Sequence, residues 1–225
     1  MCAWSIEEVT RFYGNYAHSY DDEIAADSYP APSVIATWVL AHLTNSQPPE
    51  GGKFRVLDLG CGTGQSSKPF FEPPLNEQII MYGIDATPEV LATEAGPWIA
   101  DVWRGQMLEK AKQFPFQELR CQDIEAPLPY DEPFDAVVCV GVMDFIRSPQ
   151  ALLEKVAKSM RPNEGCCFGL TIPESGDLNK FNNDELTKLV HDSGFKILKH
   201  NRIFGYKDSE TDDCVQYHGL LLMLR

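Results

Sequence analysis

The chain reads as a doubly wound α/β fold, a parallel sheet with helices on both faces. Apolar and polar stretches alternate as strand, helix, strand from Phe54 to Ile172, the pattern of parallel strands joined by crossover helices. Phe54 to Leu59 is a buried strand that empties directly into a turn with glycines at 60, 62 and 64. Ile79 to Asp85 is a second apolar run closed by an acid, 21 residues past Gly64. That interval accommodates one helix of ~12 residues with short loops.

The elements follow in order. Ile35 to Leu43 is an amphipathic helix with Ile35, Val39, Leu40 and Leu43 on one side, and Ser33 stands where a cap belongs. Asn45 to Lys53, rich in Pro and Gly, links it to the first strand. After Asp85 a helix from Pro88 to Ala95 is broken by Gly96-Pro97. A second helical pattern carries Ile99, Val102, Trp103, Met107, Ala111 and Phe114 at three- and four-residue intervals. Trp98 and Trp103 are expected in the core, with a dimer contact as the alternative, so the chain is a monomer or a homodimer. A third run begins at Leu119 and leads to Asp123-Ile124, and a fourth strand runs from Asp135 to Gly141, with Asp135 opening it rather than binding a ligand. Gln150 to Met160 is a helix with Leu152, Leu153, Val156 and Met160 inward, and Cys166 to Ile172 is the fifth strand. Asn183 is placed to cap a helix from Asp184 to Ser193 that Gly194 ends. Phe195 to Leu198 and Gln216 to Leu224 close the fold as strands, joined by the acidic span Lys207 to Asp213.

At 225 residues and 44% hydrophobic content the chain can bury a substantial core as one structural domain. Residues 1–45 form a helical lid segment packed on a ligand-binding domain, 46–225. The net charge of −14, from 33 acidic against 19 basic residues, repels phosphate backbones and anionic membrane surfaces, so nucleic acid and membrane are not expected partners. Seven cysteines show neither a disulfide framework nor a zinc spacing. The N-terminus lacks the charged and apolar regions of a signal peptide, and no apolar stretch approaches ~18 residues. A reduced, cytoplasmic setting is expected, with no bound metal.

The run Val56-Leu-Asp-Leu-Gly-Cys-Gly-Thr-Gly64 carries the chemistry. Its glycines let backbone bend sharply and lie against a ligand. Asp58, two residues before the first glycine, is costly at the tip of an apolar strand unless a cationic group meets it. The dinucleotide pattern G-x-G-x-x-G is not met, since its third place is Gln65. The alternating glycines with a leading acid instead resemble motif I of the class I S-adenosylmethionine-dependent methyltransferases. Asp85, the Asp123-Ile124 pair, the run Pro133-Phe-Asp-Ala-Val-Val-Cys-Val-Gly141 and Arg161-Pro162 before the fifth strand resemble that family's later motifs in order.

The resemblance implies a mostly parallel, seven-stranded, Rossmann-like sheet whose last strand is antiparallel, and S-adenosyl-L-methionine as cofactor. Gly60, Cys61 and Gly62, with Asp58, would hold its methionine part. Asp85, beside Ala86, would take the ribose hydroxyls, a diol suited to the two oxygens of a carboxylate. Asp123 would meet the adenine amine, Ile124 would lie under the ring, and Val140 would face the departing methyl. The leader, with Tyr-Ala-x-x-Tyr-Asp at 16 to 21 and Tyr29-Pro-Ala-Pro32, resembles that of small-molecule methyltransferases related to the Williams–Beuren region group, in which this segment folds over the cofactor. Tyr20 offers a sulfonium both a π-face and a hydroxyl.

Methyl transfer needs collinear reactants and exclusion of water, and a base only if the acceptor arrives protonated. His18, Asp144 and His218 are the candidates, and positioning alone can suffice. The leading expectation is an enzyme that methylates a small molecule at O, N or S. Protein methylation is the alternative, as is a member of the fold that binds cofactor without methylating, as a partner subunit or a rearrangement catalyst. The fourth strand lacks the Asn/Asp-Pro-Pro-aromatic pattern of amino-directed DNA methyltransferases, and no Pro-Cys pair marks a cytosine C5 enzyme.

Overall fold

A computed structural model describes residues 5–17, 19–22, 29–49, 52–86, 107–174, 180–207 and 214–225. Phe54–Leu59 (β1), Ile79–Asp85 (β2), Glu118–Cys121 (β3), Ala136–Cys139 (β4), Cys167–Pro173 (β5), Phe195–Lys207 (β6) and Cys214–Leu224 (β7) make one sheet. Its order is β3-β2-β1-β4-β5-β7-β6. The pairings among β1 to β5 are parallel, and β7 runs antiparallel between β5 and β6, as the resemblance implies.

The two-residue period of the strands sorts their side chains onto two apolar faces. Leu57, Ile84, Val137, Phe168 and Leu220 point to one face, covered by helices Pro149–Ser159 and Asn183–Asp192. Val56, Met81, Val138 and Cys167 point to the other, covered by helix Ala31–Thr44 through Ile35, Val39 and Leu43. In chain order the helices are α1 (Ile6–Tyr16), α2 (Ala31–Thr44), α3 (Met107–Ala111), α4 (Pro149–Ser159) and α5 (Asn183–Asp192). The helical pattern from Pro88 to Val102, Trp98, Trp103 and most of the 207–213 connection lie outside the described residues. Among the described residues no helix is long and apolar enough to cross a membrane.

Four sequence expectations are corrected. The interval after Gly64 holds no 12-residue helix but two short 3-10 turns, Lys68–Phe71 and Asn76–Gln78. Pro69 is tolerated at the start of a turn, but Pro73 and Pro74 have no N–H to give and clash with the preceding turn, so a helix cannot run through them. Phe70 and Leu75 from these turns still cover the sheet face shared with α2. The strand expected at Phe195 to Leu198 runs on to Lys207. A bulge between Ile197 and Lys199 resets the alternation, and an edge strand tolerates the polar run that follows.

Ser33 does not cap α2. The helix begins earlier, at Ala31, and the Ser33 hydroxyl donates to the Pro30 carbonyl at 2.9 Å from inside its first turn. The cap of α5 is Asn182, one residue before the expected Asn183. Its side-chain oxygen accepts from the N–H groups of Asp184 and Glu185, both at 3.0 Å, and the Glu185 carboxylate accepts from the Asn182 N–H at 2.9 Å. Asn182→Ala is expected to lower stability by about 1 kcal/mol, read as a shift of the urea midpoint at constant slope, whereas Asn183→Ala should leave it in place.

Asp135, as expected, is structural. Buried just before β4, it accepts from the Arg55 N–H and the Arg161 guanidinium, both at 2.8 Å, which fixes the start of β1 against the turn that leads to β5.

Candidate functional site

The carboxyl ends of β1, β2 and β4 open onto a cleft, the place where open α/β sheets bind ligands. The turn after β1 forms its floor. The N–H groups of Gly60 and Cys61 both donate to the Ile84 carbonyl, at 2.8 and 3.0 Å, and the Gly62 N–H donates to the Asp85 carboxylate at 2.9 Å. The end of β2 therefore fastens the turn. Gly62 has φ +52°, and a Cβ built there would meet no atom of the described residues within 4 Å, so it would project into the open cleft. At Gly60, φ +74°, a Cβ would lie 2.4 Å from Val142 Cγ2. One glycine leaves room for a ligand, and the other lets the turn close on the segment after β4.

Gly60, Gly62, Tyr20, Asp85 and Ala86 line the cleft, and so do Asp123, Ile124 and Val140. Two carboxylates from the ends of β2 and β3 thus share one cavity with a tyrosine of the leader. Helix α1 covers part of it through Ile6, Val9 and Tyr13, and the Thr10 hydroxyl reaches the Ala86 carbonyl at 3.5 Å. The Tyr13 ring meets Tyr20 and Phe145 edge-on, with centroids 6.1 and 5.5 Å away. Burial, with Asp85 and Asp21 nearby, pushes the Tyr20 phenol up to about 12, so it keeps its proton and presents a neutral ring.

The remaining sequence candidates sit elsewhere. The Cys61 side chain is buried against Gly83, and burial holds its thiol well above the usual range. Asp58 lies fully buried behind the turn. Its Oδ2 accepts from the hydroxyls of Ser66 and Ser67 at 2.7 and 2.6 Å, while Oδ1 is buried with no hydrogen-bond partner among the described residues. Burial raises its carboxyl to about 6 against the pull of the two serines. Asp144, on the turn Met143–Phe145, does not line the cleft. It accepts from the Tyr217 hydroxyl at 3.1 Å, and burial raises it to about 6. His218 is buried in β7, bonded to His200 at 2.9 Å and to the Phe181 carbonyl at 2.8 Å, away from the cleft lining. His18 lies outside the described residues. Among the described residues no group of three or more His, Cys, Asp or Glu is arranged to hold a metal ion.

Sequence reasoning missed the partners of these acids. Arg147 lines the cleft and donates to Asp123 at 2.9 Å and to Glu125 at 2.6 Å. From α4 the Lys155 ammonium donates to the carbonyls of Ile124 and Ala126 at 2.9 and 2.6 Å. The loop after β3 is thus pinned from two sides. An isolated basic residue after the fourth strand gives no signal for this in sequence. The adjacent pair Ser66-Ser67, eight and nine residues after Asp58, was the one visible hint.

Comparison with known proteins bears on the family and the fold. The model of the methyltransferase-domain family matches residues 51–202. A ubiquinone biosynthesis O-methyltransferase of Xylella fastidiosa is 30% identical over 118 residues, which cover 52% of this chain and 42% of that protein. The chain spans less than half the length of the curated relatives it matches first. Among solved structures, magnesium protoporphyrin IX methyltransferase from Synechocystis, with bound S-adenosylhomocysteine, superposes with a TM-score of 0.62 at 15% identity, covering 96% of this chain and 99% of the other. The Burkholderia thailandensis 1,6-didemethyltoxoflavin-N1-methyltransferase gives 0.62 at 15% identity, covering 100% and 92%. At such identities the structures establish the shared fold.

Proposed function

Because the chain belongs to the methyltransferase-domain family, we propose that it is an S-adenosylmethionine-dependent enzyme that methylates a small molecule. The observation that carries the proposal is the single cleft into which the glycine turn, Asp85, Asp123 and Tyr20 all open. The cleft fits the cofactor in two respects. Gly62 leaves a cradle that a side chain would fill, and the carboxylates of Asp85 and Asp123 line the cleft as acceptors for a diol and an amine. Asp85 would hold the ribose diol, Asp123 the adenine amine, and Ile124 the face of the ring. When bound, the cofactor supplies a methyl group activated by a positively charged sulfur.

The chain's own residues then have three tasks. Tyr20, with a neutral ring and an intact hydroxyl, lines the cleft where the positive charge would lie. Val140 and the apolar residues of α1 exclude water from the reacting carbon. Positioning replaces base catalysis where the acceptor arrives unprotonated. A small acceptor suits a cleft that helix α1 of the leader partly covers.

Isothermal calorimetry tests the reading. S-adenosylhomocysteine is expected to bind one site saturably, and an extract treated with enzyme and isotopically labelled cofactor is expected to yield a labelled product of low mass. No heat of binding would remove the proposal, and label found only in protein would move the acceptor to that class.

A further inference from the structure

The turn after β1 departs from the dinucleotide pattern at Gln65, and the structure gives that residue a partner. Asp21 of the leader accepts from the Gln65 side-chain amide at 3.0 Å and, on the same Oδ1, from the Thr63 hydroxyl at 2.6 Å. Its Oδ2 accepts from the Lys110 ammonium, on α3, at 3.3 Å. Thr63 is 1% exposed, so its hydroxyl is committed to this contact rather than to water. One carboxylate thereby ties together three segments that are 42 to 89 residues apart in sequence. It is 27% exposed and receives three donors from two elements, unlike a surface ion pair that solvent screens.

Tyr20 precedes Asp21 and opens into the cleft. We propose that Asp21 is a positioning residue, which docks the leader on the glycine turn and so sets the Tyr20 ring over the bound cofactor. The inference rests on the cofactor reading above and adds a coupling to it. A ligand lying on the turn orders Thr63 and Gln65, and these order the leader through Asp21. By linkage, a leader held by Asp21 retains the ligand. The effect falls on departure more than on arrival, since contacts made after encounter govern dissociation.

Stopped-flow fluorescence with S-adenosylhomocysteine, on the full chain, tests this. Asp21→Ala is expected to release the ligand about tenfold faster, with association within about twofold, and to lower the urea midpoint because the buried Thr63 hydroxyl loses its acceptor. Thr63→Val should reproduce much of the effect, and the double variant should add little to either, the signature of one shared contact. Asp21→Asn, which keeps an acceptor for Thr63 but loses the charge facing Lys110, should lie between. Amide exchange across α1 should quicken in ligand-free Asp21→Ala, a readout that needs no cofactor. Wild-type binding with an unaltered dissociation rate in both single variants would overturn the inference and leave the proposed function standing. Absence of binding in the wild type would instead sink the proposed function itself.

Discussion

Asp85→Ala is expected to weaken cofactor binding ten- to a hundredfold, corresponding to ~1.5–3 kcal/mol for hydrogen bonds made to a charged group. The side chain has two duties in the structure. It lines the cleft where the ribose diol is proposed to lie, and its Oδ2 accepts the Gly62 N–H at 2.9 Å. Alanine removes both and leaves a turn amide without its acceptor. Asp85→Asn separates them. The asparagine oxygen can still accept from Gly62, but the amide nitrogen cannot accept from a hydroxyl. That variant should therefore keep the turn, seen as an unchanged urea midpoint, and lose the greater part of the affinity. Calorimetric affinities equal to wild type in both variants would place the ribose elsewhere.

Asp58→Asn is expected to change how stability depends on pH in the absence of cofactor. Burial raises Asp58 from the ordinary 3.8 to about 6 in the folded protein. A folded value above the unfolded one means that the native state holds the extra proton between these limits. The resulting stability is fully present below about pH 4 and is lost as pH rises through about 6. A rise of that size sets the scale at up to about 3 kcal/mol. Asparagine carries no such proton, so wild-type stability minus variant stability should fall by that order between pH 4 and pH 7.5. Asp144, also raised to about 6, leaves a slope of the same sign in both proteins. His200, lowered by burial and by His218, acts in the opposite sense, because a histidine that resists protonation loses stability as pH falls below about 6.5. Thermal unfolding of both proteins across this range isolates the Asp58 share as their difference, and parallel curves would show that Asp58 does not hold the proton.

How far the sequence was readable depended on where each structural signal is stored. β1 and β2 were legible to the residue, because each is an apolar run bounded on its carboxyl side by a glycine turn or an acid. β6 was not, since its bulge breaks the alternation and its exposed edge admits Lys196, Lys199, His200 and Arg202. The interval after Gly64 is long enough for a helix, but Pro73 and Pro74 inside it forbid the element. In the cleft, Asp85 and Asp123 were visible as acids closing strands. Arg147, Lys155 and the Asp21 contacts were not, for their meaning lies in hydrogen bonds between segments distant in sequence. In sequence Asp58 is an acid awaiting a cation, and half of its capacity is already taken by Ser66 and Ser67.

Helix α2 sits directly on the middle of the sheet: a Cβ added at Gly169 would come within 2.6 Å of Val39 and 2.8 Å of Ile35. This has a consequence during biosynthesis. The helix ends at Thr44, while β5, on which it rests, starts at Cys167. At typical translation speeds of 5–20 residues per second the greasy stripe of α2 waits roughly 6–25 seconds on the ribosome for its seat to be made, and longer for β7. Until then the apolar side of α2 has no sheet to cover it.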